Sequence, residues 1–295
     1  MRKRISDVLK EGQKALIEAG IEEYSLDAWY LLEWVTGVSR AQYYAYPEKE
    51  LTAEQEDCYE KCIRKRCRHI PLQHITGEQE FMGLIFKVNE HVLIPRQDTE
   101  VLVETGLEKL KPGMKVLDMC TGSGCIIISL EKYCRQMTDS CLQGEENVET
   151  QMQFTGVDIS LEALEKAHEN VELHHSSVKL IQSDLFENIV GKYDIILSNP
   201  PYIKTAVIEQ LQEEVRRHDP YIALDGKEDG LHFYRKIITE SRIHLKAGGW
   251  LLFEIGHDQK EAVIALMETS GYKEIFAKKD LAGLDRVVGG RYIKE

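Results

Sequence analysis

Asn199-Pro200-Pro201-Tyr202 follows directly on YDIILS, an apolar run that reads as a buried strand. Two consecutive prolines remove two backbone donors and fix two φ angles. The strand therefore runs into a rigid corner that carries an amide and a phenol. Such a set suits the holding of a planar NH2 group, which needs two in-plane acceptors. The side-chain oxygen of Asn199 supplies one, and the Pro200 carbonyl, fixed by the proline rings, supplies the other. Tyr202 offers a flat face on which a planar amide or base can stack. A rigid loop with no substrate is the plainer reading of the same residues.

Three more strand ends carry polar groups. KVLDM runs into Cys120-Thr121-Gly122-Ser123-Gly124. Glycines let a backbone approach a ligand, and the helix N-terminus behind them favours a negative group. This is no P-loop, because the Lys-Ser/Thr pair is missing, and Ile127 occupies the place of the last glycine in a dinucleotide loop. A glycine pair alone also fits a tight strand-to-helix turn. Asp158 ends GVDIS, where an acid can accept from ribose hydroxyls or simply cap a turn. Asp184 and Leu185, in SDLF, pair an acid with an apolar side chain, which suits the edge and face of an adenine. Three such signals at successive strand ends favour a nucleoside cofactor.

The elements that must position these residues are legible from periodicity. Ile5, Val8, Leu9, Leu16 and Ile17 share one helical face, with Ser6 or Asp7 as its cap. Ser25 is expected to cap a second helix that Gly37 stops, and Thr52 with Gln55 forms a capping-box pattern. These helices predict a small N-terminal bundle. Phe81, Leu84, Phe86, Val88, Val92 and Ile94 are strand-like, with residues 89–91 as the turn of a linking β-hairpin. From residue 98 strands alternate with helices, which predicts an α/β, doubly wound, mostly parallel sheet. YKEIFAKKD and DRVVGGRYI are joined only by LAGL, which fits an antiparallel hairpin at the sheet edge. Residues 135–151 are polar and aperiodic, and read as an inserted surface loop. The expected division is 1–75, helical; 76–95, hairpin linker; 96–295, α/β.

The formal net charge of −13 over 295 residues argues against a protein built to grip the nucleic-acid backbone. The basic run from Arg64 to His69 reads as a solvated helix end. Seven cysteines, an odd count without a C-x-x-C pair, match neither a zinc nor a disulfide framework. Free thiols in a reducing cytosol are expected. No apolar run is long enough to span a bilayer, and the basic N-terminus lacks the apolar core of a secretory signal.

D-x-x-T-G-S-G, G-V-D, S-D-L-F and N-P-P-Y together resemble the class I S-adenosylmethionine-dependent methyltransferases that methylate planar nitrogen. The chain is most similar to the protein-(glutamine-N5) methyltransferases acting on peptide chain release factors, the HemK or PrmC family. The likeness extends through the segment from Pro71 to Glu104, with VLIPRQDTE at its end, and through HDPYIALDGKEDGLHFYR, LKAGGWLLFEIGHDQ and DLAGLDRVVGGR. It covers nearly the full length. N-P-P-Y alone is less specific, since adenine-N6 DNA methyltransferases share it. Two departures stand out: Gln97 replaces the usual proline, and Cys120 the usual glycine.

The resemblance implies a class I methyltransferase fold with a seven-stranded, mostly parallel sheet. It places S-adenosyl-L-methionine across the strand ends: Cys120, Thr121, Gly122, Ser123 and Gly124 face its amino-acid moiety, Asp158 holds the ribose, and Asp184 and Leu185 flank the adenine. Asn199 would touch both cofactor and acceptor, with Pro200, Pro201 and Tyr202 around the acceptor glutamine of a Gly-Gly-Gln loop. A cytoplasmic monomer is expected, with no membrane and no nucleic-acid partner, and the architecture suggests that its N-terminal bundle contacts the rest of a release factor. Rival readings are glutamine methylation of a ribosomal protein, adenine-N6 methylation of nucleic acid, and a non-catalytic partner protein with a cofactor fold. The net charge opposes the second and the intact motifs oppose the third. Glu254, an acid at the end of a core strand, has structural hydrogen bonding as its default role.

Overall fold

Ile5, Val8, Leu9, Gly12 and Leu16 form the buried face of the first helix, α1 (Ile5–Glu18). The computed structural model describes residues 2–141 and 152–293. These fall into two compact units, Met1–Glu78 with Gln212–His218, and Gln79–Leu211 with Asp219–Glu295.

The first unit holds α1, α2 (Tyr24–Thr36), α3 (Arg40–Ala45), α4 (Ala53–Arg66) and α5 (Leu72–Thr76). Its core joins Leu16, Leu31, Leu32, Leu51 and Tyr59. Thr52 and Gln55 make the expected capping box, and Gly37, at φ 68°, closes α2 in the left-handed region. Two caps differ from expectation. Ser6 and Asp7 lie inside α1, whose start is satisfied instead by Ile5 N–H bonding the Lys49 carbonyl at 2.8 Å. Ser25 lies inside α2, which begins without a side-chain cap. A neighbouring backbone segment can do a cap's work, and no local sequence signal reports it.

The basic run is also corrected at one position. Arg66 is buried, not solvated. Its Nε donates to Asp27 Oδ2 at 2.6 Å and its Nη2 to Glu214 Oε1 at 2.5 Å. Glu214 belongs to the short helix Glu213–His218. Nothing in the sequence separates that segment from the residues around it.

The second unit opens with the hairpin of β1 (Glu78–Phe81) and β2 (Leu84–Lys87). Its turn is Met82-Gly83, at φ 52° and 67°, and not residues 89–91. Two positive φ values match the right-handed twist of a two-residue hairpin. Val92 and Ile94 are buried outside any strand.

Then follow α6 (Glu100–Lys109), β3 (Lys115–Met119), α7 (Cys125–Cys141), β4 (Gln153–Asp158), α8 (Leu161–Leu173), β5 (Lys179–Gln182) and β6 (Tyr193–Ser198). After β6 come α9 (Thr205–Ile208), α10 (Glu213–His218, of the first unit), α11 (Tyr221–Leu224), α12 (His232–His244), β7 (Leu245–Glu254), α13 (Lys260–Thr269), β8 (Tyr272–Lys279) and β9 (Asp285–Tyr292). Among the described residues seven strands form one sheet in the order β5-β4-β3-β6-β7-β9-β8. β3 to β7 pair in parallel, while β9 pairs antiparallel with β7 and β8, leaving β8 at the edge. Val116, Leu117 and Met119 of β3 are sealed on both faces, as helices on both sides of a parallel sheet require.

The expected loop at 135–151 is shortened from its start, because α7 continues to Cys141. Residues 142–151 lie outside the described residues. Among the described residues no helix is long and apolar enough to cross a membrane.

Arg66→Ala would leave two carboxylates without their cation, one of them buried. Breaking a buried ion pair in this way costs about 3–5 kcal/mol. Urea denaturation of the purified variant measures the loss, and a cost below about 1 kcal/mol would mean the pair behaves as a surface contact.

Candidate active site

β3 and β6 lie side by side in parallel, and the chain leaves β3 towards β4 on one side but returns to β6 on the other. The loops after these two strands must therefore diverge. A crevice opens between them at the carboxyl edge, where open α/β sheets bind ligands. Met119 stands opposite Ser198, and Ser198 Oγ donates to the Met119 carbonyl at 2.7 Å, pinning the two ends together.

Beyond Met119 the loop folds down onto β4. Thr121 N–H bonds the Val157 carbonyl at 2.9 Å, Thr121 Oγ1 donates to Asp118 Oδ2 at 2.6 Å, and Gly122 N–H bonds Asp158 Oδ2 at 2.8 Å. Gly156 permits this approach, since a Cβ there would lie 2.8 Å from Thr121 Oγ1. Cys120 has φ 64°. This explains the glycine usual in the resembling family, because a non-glycine residue in that region carries about 1–2 kcal/mol of strain. Burial pushes the Cys120 thiol up, so it stays protonated. Asn170 of α8 braces the loop from behind, donating to the Ser123 carbonyl at 2.9 Å and the Lys87 carbonyl at 3.0 Å.

The crevice is a cleft of about 1030 Å³ including its open mouth, bordered by Cys120, Thr121, Gly122, Ser123, Asp158, Asp184, Leu185, Asn199 and Pro201. Nine of the twelve residues singled out in the sequence thus meet on one wall. Gly124, Pro200 and Tyr202 do not border it. Gly124, at φ 79°, turns the chain into α7, and Pro200 is buried. Tyr202 packs against the core, and its hydroxyl donates to Glu254 Oε1 at 3.3 Å.

The acids under the cleft are short of partners. Asp118 is fully buried with Oδ1 unpaired, and burial, helped by the nearby Asp158 charge, pushes its pKa to about 7. Burial also raises Asp158, although Gly122 and Ser160 N–H groups favour its charged form. Both acids would gain from a cationic or hydroxyl-bearing ligand above them. Exposed Asp184 and buried, apolar Leu185 lie at the other end. This donor set fits a molecule with an ammonium group, a sugar diol and a flat ring, as S-adenosylmethionine has.

At the corner itself, Asn199 Nδ2 donates to Thr99 Oγ1 at 3.4 Å. That leaves Oδ1 as the free acceptor at the cleft. The backbone of Tyr202 is clamped by Gln259, whose Nε2 donates to its carbonyl at 3.0 Å. Gly226 and Gly230 close over it, and a Cβ on either would come within 2.7 Å and 2.5 Å of Tyr202 backbone atoms. Thr99, Gln259 and Glu254 had no assigned place at the site in the sequence. Thr99 lies in the VLIPRQDTE segment, and Glu254 and Gln259 lie in LKAGGWLLFEIGHDQ, so the resemblance spans all three, but only folding brings them together here.

Residues 7–77 match the PrmC N-terminal domain and residues 97–216 the methyltransferase small domain. The release factor glutamine methyltransferase of Geobacter sulfurreducens is 40% identical over 288 residues, 97% of this chain and 96% of the relative. The chain belongs to the release factor glutamine methyltransferase family. The Clostridium botulinum member is 37% identical over 294 residues, covering 97% of this chain and 99% of its own length. A crystal structure of a release-factor-specific protein-(glutamine-N5) methyltransferase from Alicyclobacillus acidocaldarius is 28% identical, with 71% of this chain and 100% of that one covered at a TM-score of 0.41.

Two predictions follow from the site. A carboxyl whose folded pKa is raised favours folding below its unfolded value and loses that contribution as pH rises through the folded value. The contribution of Asp118 to the stability of the cofactor-free enzyme should therefore fade between about pH 4 and 7, and Asp118→Asn should remove that component from the pH dependence in urea titrations. Gly226→Ala should displace the Tyr202 backbone and lower turnover about tenfold or more. Steady-state kinetics would refute the clamp if turnover stayed at the wild-type value.

Proposed function

We propose that the chain transfers a methyl group from S-adenosylmethionine to the side-chain amide nitrogen of the glutamine in the Gly-Gly-Gln motif of peptide chain release factors. The observation that carries this reading is Asn199: its Nδ2 is engaged by Thr99, so its Oδ1 stands as an acceptor at the cleft. The cofactor supplies an electrophilic methyl on a sulfonium, whose sulfur leaves with the bonding electron pair.

Binding of the cofactor falls to the loop from Cys120 to Ser123, to Asp158 for the ribose hydroxyls, and to Asp184 and Leu185 around the adenine. Asp158 keeps lone pairs for two more hydrogen bonds beyond those to Gly122 and Ser160. Gly124 shapes the turn behind the loop.

An amide nitrogen is a weak nucleophile because its lone pair is shared with the carbonyl. Asn199 Oδ1 accepts one N–H bond of the acceptor, and the carbonyl of Pro200, the next residue and buried behind the cleft wall, accepts the second once the acceptor is seated. Both bonds tighten as positive charge forms on nitrogen, so they favour the transition state over the ground state. The prolines make the corner rigid, which supplies orientation in advance. No strong base is needed, since the methylated nitrogen is acidic enough to release its proton after transfer. Tyr202, packed behind the corner, braces the acceptor pocket.

Residues 1–75 form the substrate-recognition domain, residues 76–95 the linker and residues 96–295 the catalytic domain. A loop shared by several release factors needs a second contact for selectivity, and the bundle is available to provide it. The working unit is a monomer, acts where translation acts, in the cytoplasm, and with net charge −13 has no use for a nucleic-acid partner.

Incubation with S-adenosylmethionine and unmodified release factor, then digestion and mass spectrometry, should find one added methyl on the Gly-Gly-Gln glutamine. Asn199→Ala should bind cofactor within about threefold of wild type yet lose about 10²–10³ in turnover. Methyl on another acceptor only, or full turnover in that variant, would overturn the assignment.

A further inference from the structure

Glu254 is the last residue of β7, and it is fully buried apart from about two percent of its surface (relative exposure 2%). Its Oε1 accepts from the Tyr202 hydroxyl at 3.3 Å, while Oε2 is sealed from solvent without a well-formed hydrogen bond. The Thr99 hydroxyl is near enough to the carboxyl to favour its charged form, although it makes no well-formed hydrogen bond to Oε2. The same Thr99 Oγ1 accepts from Asn199 Nδ2. One buried carboxyl thus reaches both polar side chains of the corner, Tyr202 directly and Asn199 through a single hydroxyl.

We propose that Glu254 is a positioning residue for the methyl acceptor: through the Thr99 hydroxyl its carboxylate decides which atom of the Asn199 amide faces the cleft, and protonation of Glu254 idles the pocket. This rests on the reading of Asn199 given above.

A hydroxyl has one proton and two lone pairs. When Glu254 is ionised it can only accept, so Thr99 gives its proton to the carboxylate and keeps lone pairs for Asn199 Nδ2. Asn199 Oδ1 then faces the cleft, ready for an acceptor N–H. When Glu254 is protonated, its own O–H takes a Thr99 lone pair, and the Thr99 proton turns the other way. The Thr99 proton, no longer taken by the carboxylate, is then satisfied by Asn199 Oδ1, which turns Nδ2 to the cleft. A donor facing a donor cannot hold an amide NH2.

The groups around Glu254 leave this choice open near neutrality. Arg286 on β9 approaches, but its guanidinium is shared between Asp98 and Asp280, each at 3.0 Å. Asp98 itself opposes the carboxylate charge. Tyr234 of α12 donates to the Glu254 main-chain carbonyl at 2.9 Å and not to the carboxyl. Tyr202 and Thr99 face the carboxyl itself, and the Cys125 thiol lies near enough to feel its charge. Burial outweighs them all and brings Glu254 to about 7, so the carboxylate form grows as pH rises through that value.

The test is kcat for Gly-Gly-Gln glutamine methylation, at saturating release factor and cofactor, from pH 6 to 8.5. Wild type should rise with pH through a single limb near 7, approaching tenfold per unit on its acid side. Glu254→Gln can still accept from Thr99 but cannot titrate, so its kcat should vary by less than about twofold over the range. Thr99→Val should lose about tenfold or more in kcat at pH 8 with cofactor affinity within about threefold, and Thr99→Ser should restore it. A flat wild-type profile, an unchanged limb in Glu254→Gln, or full kcat in Thr99→Val would overturn the proposal. A variant that merely unfolds would lower amplitude without removing the limb. Absence of any glutamine methylation by wild type at pH 8 would instead overturn the function reading, and this inference with it.

Discussion

The parallel pairing of β3 with β6, closed at its end by the Ser198 hydroxyl on the Met119 carbonyl, is the constraint on which the site depends. Two strands that finish level but continue in opposite directions create a crevice whatever their loops contain. The loop from Cys120 and the corner at Asn199 start from adjacent backbone positions, so a group bound on one lies near a group bound on the other. Catalysis by positioning requires such fixed relative placement. Sheet backbone sealed on both faces provides it better than any loop could.

The loops themselves are held by removing side chains rather than adding them. Gly156 lets Thr121 rest on β4, and Gly226 and Gly230 let a second loop close over Tyr202. Ile203 N–H bonds the Leu224 carbonyl at 3.0 Å and Gly226 N–H the Ile203 carbonyl at 2.8 Å, a short pairing that gives the donor-poor proline corner partners on its far side. Gln259 adds the last bond to the Tyr202 carbonyl. Backbone held at this distance leaves little room for the corner to relax. A rigid corner is the result.

Buried acids are the cost of this arrangement. Asp118 and Glu254 each keep one unpaired oxygen. An uncompensated buried carboxylate destabilises the fold, and such groups concentrate where charge has work to do. One lies beneath the loop that follows β3 and the other behind the corner at Asn199. The Arg66 cluster of the first unit is the contrast: its acids are matched by a cation, and its role is structural.

The chemistry of the site was legible in order along the chain. Asn-Pro-Pro-Tyr, the glycine loop and the acids at strand ends are local patterns, and local patterns survive in a sequence because each is confined to one turn. The alternation that predicts the sheet, the Thr52 capping box, the Gly37 stop and the edge hairpin of β8 and β9 are local too. What failed was whatever a distant segment supplies. The start of α1 is capped by backbone near Lys49, and Arg66 is claimed by Asp27 and Glu214; the first hairpin is a different miss, a local turn at Met82-Gly83 where residues 89–91 offered the stronger turn composition. Glu254 is the clearest case: as a residue it is one acid on a strand, and its meaning comes from Tyr202 and Thr99, 52 and 155 positions away. The sequence determined which groups could act. Tertiary structure decided which of them share a buried space, because hydrogen bonding and desolvation depend on distance in the fold and not on distance along the chain.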